Sequence, residues 1–134
     1  MPLPTIRVAA LALVRERRVL MVTARGRDVI YMPGGKIDPG ETAVEAVERE
    51  AFEEVSVRLE PGSAHPLFTV TVQAHGEPEG RLVEMQVFAA ATQDAPRASS
   101  EVDAIHWVTT ADLPRCPPAG AATLRRLAAL DLID

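Results

Sequence analysis

The chain has 134 residues, 47% hydrophobic and 25% charged, which suits a single domain over residues 1–134 around one core and excludes disorder and coiled coil. With only 4% aromatic residues, that core must be built mainly from Val, Leu, Ile and Ala. A formal net charge of -5 argues against binding to a nucleic-acid backbone, which needs clustered Lys and Arg, yet leaves room for a small polyphosphate bridged by divalent cations.

Residues 6–14 form a mostly apolar run and residues 19–23 a second, separated by the charged stretch 15–18; together they read as a hairpin or a nearby antiparallel pair. The first run is too short to span a bilayer, which needs roughly 18 apolar residues. It is followed by Arg15-Glu16-Arg17-Arg18 rather than a small-residue cleavage site, so neither a membrane segment nor a secretory signal is expected and a cytoplasmic location follows. Residues 29–32 look like a further strand stopped by Pro33-Gly34-Gly35, and Asp38-Pro39-Gly40 is a turn signal.

Thr42 followed by Glu45 fits a capping box, and a helix is expected from there to about Val55. It contains no Gly or Pro, and Val44, Val47, Ala51 and Val55 recur at helical spacing as a buried stripe. Residues 67–74 and 81–91 read as strands joined by the turn-rich stretch 75–80, and residues 104–108 as a last strand. Cys116 lies in a proline-rich stretch with no catalytic partner and reads as an incidental thiol; a lone cysteine also fits a reducing compartment. Pro117-Pro118 precedes a second helix over residues 119–130. Strands and helices in this order imply an α/β or α+β sandwich.

At 100° per residue, Glu50, Glu53 and Glu54 fall within an arc of roughly 100°, centred about 115° from the apolar stripe. Ala43 and Ala46 project on the carboxylate side, where small side chains leave space for a ligand. Three carboxylates so placed repel one another by a few tenths of a kcal/mol per pair. A hard divalent cation removes the conflict and brings polarised water, beside which a free carboxylate serves as base. Taken alone, such a cluster is more often a solvated helix face than a metal site. His65, His75 and His106 show no metal-ligand spacing and read as structural.

The segment 34–57 changes that balance. Gly35, Glu41 after five residues, Arg49-Glu50 after seven more, then Glu53-Glu54 and Val57 resemble the Nudix box, with Met32-Pro33-Gly34 before Gly35 and Lys36 after it also in the usual style. Two positions depart. Ala51 stands where a larger aliphatic residue is usual, and Ser56 replaces the last glycine of the box, whose helix-ending role can require a positive φ that is costly for Ser. Outside the box, Arg25 occupies the place of an arginine often seen before it, residues 101–108 look like the family's late acidic-then-Trp-Val strand, and residues 110–114 fit the short segment after it.

The resemblance implies a Nudix-type α/β/α sandwich with a mixed central sheet, and hydrolysis of a phosphoanhydride in a nucleoside diphosphate derivative with Mg²⁺, or Mn²⁺ as substitute. It implies Glu53 and Glu54 as metal ligands, Glu50 as a further ligand or as base, and the Gly34 carbonyl as another ligand. Arg49 would orient the glutamates, Glu41 would serve as a structural or outer-sphere partner, and Arg25 and Lys36 would neutralise phosphate oxygens. Glu101 is a candidate loop-borne ligand or base, with Asp103 its competitor; Glu84 is a candidate for substrate binding, with cross-strand pairing the alternative.

The expected substrate is a (d)NTP or an oxidised (d)NTP, cut to the monophosphate and pyrophosphate in the manner of MutT-like enzymes. A proline about 15 residues past the box, associated with ADP-ribose hydrolases, is missing, as is the slightly later tyrosine associated with dinucleoside polyphosphate and CoA hydrolases. The alternatives are hydrolysis of ADP-ribose or another NDP-linked compound, a non-catalytic sensor that binds a nucleotide or nucleotide-sugar, and a structural module. Pairing with a second copy is open, since many members of that family pair and no seam here identifies one.

Overall fold

A computed structural model describes residues 3–134. In chain order it contains β1 (Ile6–Leu11), β2 (Val14–Arg15), β3 (Arg18–Ala24), β4 (Ile30–Tyr31), β5 (Gly34–Lys36), α1 (Ala43–Val55), β6 (His65–Gln73), β7 (Leu82–Ala89), β8 (Val102–Val108), a 3-10 turn (Thr110–Arg115) and α2 (Pro118–Ala129). One sheet runs β5-β1-β7-β6; the other is β2-β3-β4, with β8 also paired to β3. β1 and β7 are parallel, in register Val8↔Met85 and Ala10↔Val87, while the remaining pairs are antiparallel. The mixed sandwich expected from the sequence is the architecture observed.

The first two apolar runs are continuous rather than alternating because both faces of their strands are covered. Ala9, Leu11, Leu20 and Val22 pack with α1, whereas Ala10, Val19 and Met21 pack with α2. The β2–β3 hairpin turns on Glu16 and Arg17, both at positive φ (51° and 61°), the handedness a two-residue hairpin needs. The Arg17 guanidinium also donates to Asp134 at 2.6 Å and Asp131 at 2.8 Å, tying the hairpin to the residues after α2.

One strand is added to the expected set and one expectation is corrected. β4 ends before Pro33 as expected, but residues 34–36 form a further strand that pairs with β1 at Ala10↔Gly34 and Val8↔Lys36. A Cβ on Gly34 would collide with the Ala9 carbonyl, so glycine is what lets the two backbones approach. On α1, Val44 is 37% exposed in the first turn and Ala46 is fully buried instead. Ala46 and Ala51 share one buried cluster with Ala9 of β1, so small side chains from both elements meet in this layer.

The strands β4 and β5 decide where a ligand can go. β4 pairs with β3 and β5 with β1, so residues 30–36 pass from one sheet to the other. Where the two sheets are tied, the Leu20 N–H donates to the Leu13 carbonyl at 3.0 Å. A cleft lies between them, lined by Ile6 and Val8 of β1 and Val22 and Ala24 of β3.

Candidate active site

The helix that carries the glutamates is closed at both ends by its own sequence. The Thr42 hydroxyl accepts from the Glu45 N–H at 3.0 Å, and the Glu45 carboxylate accepts from the Thr42 N–H at 2.9 Å. At the other end Ser56 takes the left-handed conformation (φ 60°, ψ 29°), with its N–H shared between the Ala51 and Phe52 carbonyls. The box glycine's conformation is therefore kept without the glycine, at a steric cost to Ser.

Arg49 organises the near side of the site. Its guanidinium donates to both Glu41 oxygens, at 2.8 and 2.9 Å, to Glu50 at 2.7 Å, and to the Lys36 carbonyl at 3.2 Å. The Glu41 carboxylate also accepts from the Asp38 N–H, and these partners, Arg49 first, hold its pKa down at about 2. The same carboxylates push the Arg49 pKa up, so its charge is permanent. Glu50 lies against Gly35, where an added Cβ would stand 2.5 Å from a carboxylate oxygen. That contact gives Gly35 a steric reason of its own.

Glu54 is set differently. One of its oxygens accepts the Gly34 N–H at 2.7 Å, and its side chain borders the cleft. Burial, followed by the negative charges of Glu50, Glu53 and Glu101, raises its pKa to about 7, against the lowering effect of the Gly34 hydrogen bond. Glu53 is 52% exposed, with Arg49 at 3.6 Å. Among the described residues, no three acidic, His or Cys side chains stand close enough to share one ion as they are. The like-charged groups are brought to one patch, but each is turned to its own cationic or N–H partner. The patch nevertheless has the donor chemistry of a hard-cation site, with carboxylate oxygens in excess and one of them carrying an unfavourable charge at neutral pH.

The cleft is about 460 Å³ in volume. Its walls are apolar side chains of β1, β4 and β7, including Val8, Ile30 and Met85, and the start of α2 at Ala119 and Gly120. Polar groups come from Lys36, Glu54, Glu101 and, unanticipated from the sequence, Tyr31, His75 and Glu77. His75 and Glu77 belong to the β6–β7 connection. The turn-rich sequence identifies that connection, but nothing local says that it borders the cleft, since only the pairing of β7 with β1 brings it there.

Of the other sequence candidates, Glu101 borders the cleft, whereas Asp103 is exposed and accepts the Thr23 hydroxyl at 2.8 Å. Arg25 lies on an adjoining depression, its N–H donating to the Glu101 carbonyl at 2.8 Å. Glu84 is not among the residues that line the cleft. It stands opposite Arg7, with which it pairs at 3.5 Å, on the face of β7 away from Val83 and Met85. His106 lies 3.3 Å from the Thr23 hydroxyl. Cys116 packs against the α2-side core, and burial raises its pKa to about 11, which leaves it a thiol at neutral pH.

A family model described as the NUDIX domain matches residues 4–130. A curated relative, "8-oxo-dGDP phosphatase NUDT18" of Mus musculus, is 40% identical over 57 residues, 40% of this chain and 18% of that protein. The chain spans only 18–24% of the length of the curated relatives it matches. Among solved structures, a Nudix hydrolase family member from Chromobacterium violaceum superposes with a TM-score of 0.77 at 26% identity, covering 97% of this chain and 81% of that one. A MutT Nudix hydrolase from Burkholderia pseudomallei gives 0.71 at 25% identity, with 98% and 100% covered.

Proposed function

The chain belongs to the Nudix hydrolase family, and from that premise we propose that it is a MutT-like pyrophosphohydrolase of nucleoside triphosphates, oxidised ones included. The observation that carries this reading is Glu54, held on the Gly34 N–H at the border of an apolar cleft and crowded by three other carboxylates. Nudix hydrolases use divalent metal ions, and Mg²⁺ is the ion proposed. Glu53, Glu54 and the Gly34 carbonyl would hold it, with Glu50 either a further ligand or the base. When bound, it supplies charge neutralisation for the phosphates and polarises water.

The chain's own residues account for the rest. Arg49 fixes the Glu50 carboxylate, and Glu41 fixes Arg49. In the cut, the oxygen of water bonds to one phosphorus of the α,β-anhydride and the bond to the bridging oxygen breaks. That oxygen keeps the electron pair, and a proton of the water passes to Glu50 or Glu101. A triphosphate thus gives monophosphate and pyrophosphate. Lys36 and Arg25 counter the phosphate charge. The apolar walls suit a base and sugar, since small-molecule sites are commonly apolar with a few placed polar groups. The mouse relative's name points to an oxidised guanine nucleotide as one candidate to include. No described helix is long and apolar enough to cross a membrane, and a cytoplasmic role in the nucleotide pool is part of the same proposal.

A panel of nucleoside di- and triphosphates, NDP-sugars and ADP-ribose with Mg²⁺, scored for released phosphate products, tests the reading. Pyrophosphate release from a triphosphate is the expected result, and inertness toward every compound overturns it in favour of a nucleotide sensor. Carbon-detected NMR of Glu54 gives a second readout. Adding Mg²⁺ should pull its pKa down from about 7, and an unmoved titration would remove the metal assignment.

A further inference from the structure

Beside the cleft lies a second depression of about 590 Å³, lined by Arg25, Arg27, Tyr31, His75, Ser100 and Glu101. Ala24, Tyr31, His75 and Glu101 border both spaces, so the two adjoin. The walls differ in kind. The cleft is mainly aliphatic, whereas the annex carries two guanidinium groups and an imidazole against one carboxylate.

The cationic wall is built into the backbone. Gly26, at φ +78°, turns the chain between β3 and β4, and the Arg27 N–H closes that turn on the Ala24 carbonyl at 2.9 Å. The Arg25 N–H binds the Glu101 carbonyl, fastening the loop to the start of β8. The Arg27 guanidinium donates to the Tyr31 hydroxyl at 3.4 Å, which keeps it at the shared rim. Among the described residues, neither Arg25 nor Arg27 is in an ion pair, in contrast to Arg49 with its acidic partners.

We propose that Arg27 and His75, together with Arg25, form an anion subsite for the leaving arm of the substrate, making nucleoside triphosphates the preferred class over nucleoside diphosphates joined to a neutral sugar. The inference rests on the hydrolase reading for its orientation, with base and sugar in the aliphatic cleft and the reacting phosphates beside Glu54. The chain of phosphates then continues into the annex, where guanidinium groups match its charge and geometry. A neutral sugar in that space would gain no charge pairing from those guanidinium groups. Neither Arg27 nor His75 belongs to the box, and their roles follow only from how the loops 24–30 and 74–81 meet.

The test uses the full chain and separates the annex from catalysis. Inorganic pyrophosphate and a nucleoside monophosphate are titrated calorimetrically into the unaltered protein, Arg27→Gln, His75→Gln and, as a control of equal charge change on the exposed face of α2, Arg125→Gln. Arg27→Gln should weaken pyrophosphate about tenfold and His75→Gln about threefold, with the monophosphate changed less than twofold and the control unchanged. In turnover, the KM for a triphosphate should rise in parallel in Arg27→Gln while kcat stays within about threefold. Loss of pyrophosphate affinity in a protein that cuts nothing upholds the annex and overturns the hydrolase reading. Hydrolysis of triphosphates with an unchanged KM in Arg27→Gln overturns the annex alone. Equal weakening of both ligands, or no pyrophosphate binding by the unaltered protein, also overturns it.

Discussion

Glu41 and Glu54 are the same side chain at two ends of one short segment, and their surroundings push them in opposite directions. Glu41 faces a guanidinium fork and a backbone N–H, and its pKa falls to about 2. Glu54 is half-buried among other carboxylates with a single N–H for support, and its pKa rises to about 7. The first environment favours charge and makes a rigid support. The second penalises charge and so stores an affinity for whatever cation relieves it. Arg49 separates the two regions, because it spends its donors on Glu41 and Glu50 and leaves Glu54 to the cleft.

The largest way to break this contrast is to remove the charge from the crowded end. Glu54→Gln, like Glu53→Gln, should cut turnover by about two to four orders of magnitude while the circular dichroism spectrum is unchanged. The same Glu54 variant should stabilise the metal-free fold at pH 8. A carboxyl whose folded pKa is raised from 4.5 to about 7 binds more protons folded than unfolded between those values, so stability falls as pH rises through that window. Removing the group should therefore gain on the order of 2 kcal/mol in urea unfolding at pH 8, a gap that closes toward pH 4.5. A Glu54→Gln protein no more stable than the parent at pH 8 would show that the site is not strained.

Next in size is the supported end. Arg49→Gln should lower turnover by roughly tenfold to a hundredfold, as loss of an orienting partner does. It should also release Glu41 toward its ordinary pKa of 4.5. The sign is opposite to that of Glu54. A lowered folded pKa gives stability that is present above 4.5 and lost as pH falls toward 2, so parent and variant should differ at neutral pH and converge in strong acid. If the two acid-unfolding curves superpose at every pH, Arg49 is not the support described.

The smallest effect sharpens the comparison without touching a carboxylate. Ser56 holds the left-handed conformation that ends the helix just after Glu54. Ser56→Gly should raise stability by about 0.5–1 kcal/mol with turnover little changed, because glycine removes the Cβ penalty at positive φ. Destabilisation instead would mean that the serine conformation carries no strain.

Much of this was legible in the chain because it depends on short-range rules. Thr42 and Glu45 announced the helix start, and Ser56 was identified as a strained substitute for glycine, since capping and backbone sterics act within one turn. The apolar runs 6–14 and 19–23 gave strands buried on both faces. Periodicity alone failed where packing distance entered. It put Val44 inside, whereas Val44 is exposed and Ala46, expected beside the carboxylates, is fully buried. For Glu84 the chain offered substrate binding or cross-strand pairing, and the parallel β1–β7 register sets it opposite Arg7.

By itself, then, the sequence determined the helix, its caps, the order of acidic groups along it and the family to which they point. All of these are set by spacing along one segment. The tertiary structure decided which carboxylate would be crowded at the cleft, that Tyr31, His75 and Glu77 would border it, and that Arg25 and Arg27 would line a space adjoining it. Burial and electrostatic crowding depend on which strands converge around residues 30–36. That convergence is fixed by pairing between segments far apart in the chain, which no local pattern encodes.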